Sequence, residues 1–185
     1  MTENTNNHYN YKQIIAGLEK KGIELYGNHF KILEADYPII CRLIAYFLKD
    51  EISCYQYGID LNKGLLLSGP IGSGKTTLMN LMKLISPTNH KFYVKPTREI
   101  SFEFIQDGYQ VIHKYAKGNL YQSNPQIICF DDLGLEKNLK YYGNECNVMA
   151  EILLSRYDIF ISKKIVTHIT TNLSATEIET QYGNR

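Results

Sequence analysis

At 185 residues, 44% hydrophobic and 21% charged, with 13 glycines and 5 prolines, the chain has the make-up of roughly one globular domain with a packed core. Twenty Lys and Arg against nineteen Asp and Glu leave a formal charge of +1, which excludes a polybasic nucleic-acid coat and an acidic tail protein but not a local basic groove. No apolar run reaches the roughly 18 residues of a membrane span. The polar stretch Met1–Asn10 has no apolar segment of the secretory kind. Cys41, Cys54, Cys129 and Cys146 are irregularly spaced without a CxxC pair, and the five histidines are scattered. A zinc site is therefore not expected, and the chain reads as cytoplasmic with reduced cysteines.

Roughly the first 12 residues read as a loose tail. Pro38 suits a first helical turn, and Ile39/Ile40, Leu43/Ile44 and Phe47/Leu48 recur at helical spacing, predicting a helix up to Lys49. Gly64–Ser68 is a short apolar run of the kind found in a buried parallel strand. A helix is predicted over Thr76–Leu84 and a strand over Lys91–Lys95, closed by Pro96. Ser101 starts a helical segment toward Lys117, with Gly108 as its weak point. Gln126–Phe130 is a third strand, and Val148–Phe160 a further helix. Ile165–Thr170 is a fourth strand, with His168 packed in it, and Thr176–Gln181 a last short helix. Strands alternating with helices specify an α/β fold with a parallel sheet. The division expected is 1–58, a tail and helical segment, and 59–185, the core.

Gly69-Pro70-Ile71-Gly72-Ser73-Gly74-Lys75-Thr76 matches G-x-x-x-x-G-K-[ST] at every fixed position, after an apolar strand and at the start of a helix. Glycines let successive N–H groups wrap a polyphosphate, and the helix start adds its positive dipole end. Gly69 to Thr77 are thus the candidate ATP-binding residues, with Lys75 reaching the β/γ-phosphates and Thr76 ligating Mg²⁺.

Ile127-Ile128-Cys129-Phe130-Asp131-Asp132 delivers two carboxylates at a strand's carboxyl end, where ligands sit in open α/β sheets. Alternation along a strand gives the two acids different tasks. Asp131 is the candidate for Mg²⁺, and Asp132 the candidate that polarises the attacking water, with Glu136 as second choice. The β-branched strand ending in Asn172 would set that amide beside the water if it lies between the two preceding strands. Asn172 could instead cap the following helix.

The elements GPIGSGKT, IICFDDLG and ITTNLS, in that order, resemble the AAA+ branch of phosphate-loop ATPases. Phe130–Glu136, Ser155-Arg156-Tyr157, Thr170–Ser174 and Tyr182–Arg185 are similar to the DnaC/IstB type, the helicase loaders and transposition helpers. The resemblance covers roughly Lys63 to Arg185 and implies ATP-dependent handling of single-stranded DNA, with a replicative helicase or a transposase as partner. It places Asn172 on the sensor-1 position, Arg156 in a segment near subunit contacts, and Arg185 on the first arginine of a G-x-R segment. Family members continue with a second arginine, a further strand and usually a helical lid, so the chain reads as truncated after the sensor-1 strand. Slow hydrolysis without an oligomer or partner is the expectation. The phosphate-loop strand would then lie at a sheet edge, with the Pro38–Lys49 helix or a partner subunit as its cover.

Candidate DNA contacts are Lys95, Arg98, His113, Lys114, Tyr115, Lys117 and Tyr121, then Lys137, Lys140, Tyr141 and Tyr142, basic groups interleaved with aromatics. Near-neutral charge makes DNA contact depend on assembly, so a homo-oligomer is expected. Two other readings stay open, a non-hydrolytic nucleotide-binding interaction module and a phosphate-loop small-molecule kinase. An arginine-rich lid of the kinase kind is not evident among Arg42, Arg98, Arg156 and Arg185.

Overall fold

The computed structural model describes residues 9–117, 125–136, 139–141 and 144–183, with backbone alone at 117, 139–141 and 144–146. Helix α1 (Tyr11–Tyr26) begins where the Asn10 side chain accepts from Gln13 N–H, and it buries Ile15 and Leu18 at helical spacing. The sequence reading assigned no element to it. Helix α2 (Tyr37–Leu48) carries Pro38 in its first turn and stops at Lys49, which turns left-handed at φ 58°. Asp50 caps the short α3 (Glu51–Gln56).

Strand β1 (Leu66–Ser68) leads to α4 (Lys75–Ile85), and β2 (Phe92–Pro96) leads to α5 (Thr97–Asp107). Gly108, at φ 60°, separates α5 from α6 (Gln110–Lys117). The single helix expected from Ser101 is therefore two, and the first starts at Thr97, directly after Pro96 has closed its strand. Strand β3 (Ile127–Leu133) runs past Phe130 and includes both carboxylates. A hairpin, β4 (Leu139–Tyr141) with β5 (Asn144–Cys146), was not signalled by the sequence. Helix α7 (Val148–Lys163), strand β6 (Thr167–Thr171) and helix α8 (Ala175–Tyr182) follow.

The four main strands are parallel in the order β1-β6-β3-β2. Helices α1, α2 and α4 cover one face around Leu18, Ile44, Phe47, Met79 and Leu81. Helices α5, α6 and α7 cover the other around Ile100, Phe104, Phe130, Met149 and Ile152. Helices α1 and α2 thus share a core with the sheet: Ile15 and Ile44 belong to the same buried cluster as Phe92 and Cys129.

His168 of β6 joins these layers. Its Nδ1 accepts from Leu65 N–H at 3.2 Å, and Tyr46, Phe47 and Phe92 ring it with centroids 5.2–5.7 Å away. Burial, with Lys49 and Arg156 nearby, pushes its pKa down to about 3, so the imidazole is neutral.

One expectation about placement is corrected. Helix α2 buries Ile40 and Leu43 to Phe47 without a break, so it lies between the sheet face and its helical neighbours and cannot sit beside an edge. Among the described residues strand β1 pairs only with β6, and Leu66 stays 56% exposed. Arg156 is 2% exposed, with Nε donating to Thr167 Oγ1 at 2.9 Å and Nη2 to Val166 O at 3.1 Å. It ties α7 to the start of β6, while the next residue of the segment, Tyr157, is exposed.

Candidate active site

The loop between β1 and α4 sits at the carboxyl end of the sheet, where Gly69 N–H donates to Thr171 O of β6. Gly72 and Gly74 take φ of 81° and 79°, a region that strains any residue with a side chain. Gly74 is the cap residue of α4 and brings no side chain to it, and no acid stands in the first turn. The first N–H groups of that helix are therefore left for an anion, with the helix dipole behind them.

Lys75 is 6% exposed. Its Nζ donates to Gly69 O and Pro70 O at 2.9 Å and to Asn172 Oδ1 at 2.6 Å, with Ser73 Oγ at 3.4 Å. A buried ammonium needs such partners, since desolvation without them costs several kcal/mol, order of magnitude. Asn172 reaches Lys75 because β6 lies between β1 and β3. Helix α8 is capped by Ser174, in a reciprocal pairing with Glu177, so Asn172 does not cap it.

Asp131 is buried and accepts from Thr76 Oγ1 at 2.9 and 3.0 Å and from Thr170 Oγ1 at 2.6 Å. Asp132 departs from simple strand alternation. Its φ is 56°, and the β3–β6 register shifts between Phe130 and Leu133. Two hydroxyls hold this left-handed backbone, Thr170 Oγ1 accepting from Asp132 N–H at 2.9 Å and Thr97 Oγ1 donating to Asp132 O at 2.8 Å. The turn carries the Asp132 side chain to the wall of a cavity of about 340 Å³. Desolvation and the adjacent Asp131 push its carboxyl pKa above the ordinary carboxylate value, against a smaller opposing effect of Lys75.

Ile71, Gly72, Gly74, Lys75, Thr76, Thr77, Asp132 and Asn172 line this cavity. Gly69 and Pro70 stand behind it as acceptors for Lys75, and Ser73 is also within reach of that ammonium. Thr97 and Thr170, both fully buried, were not singled out from sequence; Thr170 stands two residues before Asn172 on the same strand end, while nothing around Thr97 signalled the site. Glu136, the second candidate for water activation, does not line the cavity, and its Oε2 accepts from Gly134 N–H. A larger cavity, about 570 Å³, opens at the opposite end of β2 and β3 beside His90, Lys91 and Lys164 and has no carboxylate in its wall.

Three of the proposed DNA contacts are engaged within the chain. Lys95 pairs with Glu99 and Glu103, Lys114 pairs with Glu103, and Tyr115 is 3% exposed and donates to Glu103. One acidic face of α5 thus pairs two of the named cations and accepts from the third group, a phenol. Arg98 and His113 are exposed, Arg98 over the Phe102 ring at 5.5 Å. Tyr121, Lys137, Tyr142 and Arg185, and the side chains of Lys117, Lys140 and Tyr141, lie outside the described residues.

No family model matches the sequence, and no curated protein matches it. Among solved structures, the chain is similar to the DnaC helicase loader, with a TM-score of 0.53 and 17% identity over 84% of this chain and 85% of that one. It also aligns with PCH-2 of C. elegans, with a TM-score of 0.47 and 18% identity over 87% of this chain and 43% of that one. No helix among the described residues is long and apolar enough to cross a membrane.

Proposed function

We propose that this chain, with the AAA+-type α/β fold it shares with a helicase loader, binds ATP with Mg²⁺ and hydrolyses it in support of DNA replication or transposition. The observation that carries the reading is the convergence of Lys75, Thr76, Asp131, Asp132 and Asn172 at the carboxyl ends of three adjacent strands. Lys75 and the free N–H groups at the start of α4 suit the phosphates. Among the described residues no group of three or more His, Cys, Asp and Glu could hold a metal by itself. Thr76 and Asp131, 2.9 Å apart, suit a cation that takes its other ligands from phosphate and water, as Mg²⁺ does.

The bound nucleotide would supply the phosphoryl group, with its cation neutralising charge on the leaving diphosphate. Asp132 is set to take the proton of a water at its carboxylate, and the raised pKa makes it a stronger base than an ordinary aspartate. Asn172 adds a neutral amide beside it and orients water without adding charge. The DNA role draws its support from the shared fold and from Arg98 stacked on exposed Phe102.

The test is ATP turnover against protein concentration, with and without single-stranded DNA. Turnover that rises cooperatively with concentration or with DNA supports the reading. ATP binding without turnover under any of these conditions leaves a nucleotide-binding module, and no binding overturns the site.

A further inference from the structure

Two chain segments leave the site side by side. One runs from Asp132 through the turn at Gly134 to Glu136, and the other from Asn172 through Leu173 into α8. At the site they are joined by Thr170, whose hydroxyl bonds both Asp131 and the Asp132 N–H. Midway, Leu173 lies against Gly134, where a β-carbon would stand 2.7 Å from its side chain. At the far end Tyr182 OH donates to Glu136 Oε1, while Glu136 Oε2 accepts from Gly134 N–H at 2.9 Å.

Resting on the ATPase reading above, we propose that Tyr182 and Glu136 form a latch that closes this ring, so that Tyr182 is a positioning residue for Asp132 and couples α8 to the nucleotide site. One carboxylate spans the turn and the helix. Gly134 stands at φ 103°, and Leu135 N–H donates to Asp132 O at 3.1 Å beside the Thr97 hydroxyl. The hydrogen bond to Glu136 thus fixes the turn whose first carbonyl belongs to Asp132.

Helix α8 has little else to hold it. None of its residues is buried, and a second tie to the body is Asn147 Nδ2 donating to Gln181 O at 3.1 Å. Tyr182, half-buried against the cluster of Leu133, Val148 and Met149, is its anchor. A change at Asn172 as Lys75 turns to phosphate displaces Leu173 and so loads the latch. Release of the latch frees the Gly134 turn in return.

The test uses Tyr182→Phe, which keeps the packed ring and removes only the hydroxyl. Turnover should fall about ten-fold while KM and ATP affinity stay within about two-fold, because misalignment of the base acts on the chemical step. Glu136→Gln should behave alike, and the double variant should be no worse than either single one. Amide hydrogen exchange at Gly134 should quicken in Tyr182→Phe, a readout independent of turnover. Unchanged turnover, or a loss of turnover that only follows a loss of affinity and Tm, overturns the latch. If the parent protein binds ATP without hydrolysing it, the hydrolytic reading fails by itself. The exchange rate at Gly134 then decides, and unchanged protection overturns the latch.

Discussion

The Nζ of Lys75, at the start of α4, lies 2.6 Å from Oδ1 of Asn172, just beyond the end of β6. An ammonium has three protons, and Gly69 O, Pro70 O and Asn172 Oδ1 are the three shortest acceptors around this one. An incoming phosphate must displace at least one of them, and Asn172, the side chain among them, moves most easily. On the proposed function, nucleotide binding and the orientation of Asn172 would thereby be linked.

Replacing Lys75 by Ala removes the positive charge from a loop that presents only backbone dipoles otherwise. ATP affinity should fall at least about 100-fold, roughly 3 kcal/mol, by calorimetry. Far-ultraviolet circular dichroism should show the fold retained. Unchanged affinity would place the nucleotide elsewhere.

Asp132→Asn should spare ATP binding and lower turnover by about 10²–10⁴, the range of a lost general base. In the parent protein the raised pKa of Asp132 gives a sign for the pH profile. Turnover should be full where the carboxylate is ionised and fall as acid protonates it, with a midpoint above the ordinary value of about 3.9. A pH–rate profile flat through that midpoint, or Asp132→Asn turning over normally, removes Asp132 from this role.

Thr170→Val keeps the side-chain shape but deletes the hydroxyl shared by Asp131 and the Asp132 N–H. Leaving the Asp132 N–H without its acceptor and Asp131 with Thr76 as its remaining donor should cost about 1–3 kcal/mol in urea unfolding. Turnover should drop by more than ATP affinity, because the backbone of Asp132 loses one of its two hydroxyl supports. Equal losses in binding and turnover would limit Thr170 to the core.

His168 makes stability pH-dependent. Its pKa is about 3 in the folded chain, against about 6.5 for an exposed imidazole. The unfolded chain therefore binds a proton first as acid is added. The stabilisation is complete above about pH 6.5 and erodes below it, at up to about 1.4 kcal/mol per pH unit. Urea midpoints at pH 7 and pH 5 should differ in the parent protein and differ less in His168→Phe. An unchanged difference would assign the slope to other groups.

Much of the fold was legible because its signals are local. The apolar spacing of Ile40, Leu43, Ile44 and Phe47 marked α2, and the glycines around Lys75 marked a strand–turn–helix. Helix α1 was missed because its buried stripe is thin, only Ile15 and Leu18 among its large apolar residues being buried. Extending one helix across Gly108 failed because the apolar spacing continues into Val111 and Tyr115 while the backbone there turns left-handed.

The sequence by itself determined the parallel α/β architecture and the phosphate loop, since positive φ at Gly72 and Gly74 and an apolar strand before them are properties of a few consecutive residues. Only the tertiary structure decided which polar groups meet. It turned Asp132 out of its strand on two buried hydroxyls, set Asn172 on Lys75, spent Lys95 and Lys114 on Glu103, and buried Arg156 under α7. Apolar periodicity records which face of an element leaves water. It carries no record of which polar partner waits on a neighbouring strand, and hydrogen bonds, short-ranged and directional, are set only when the strands are side by side.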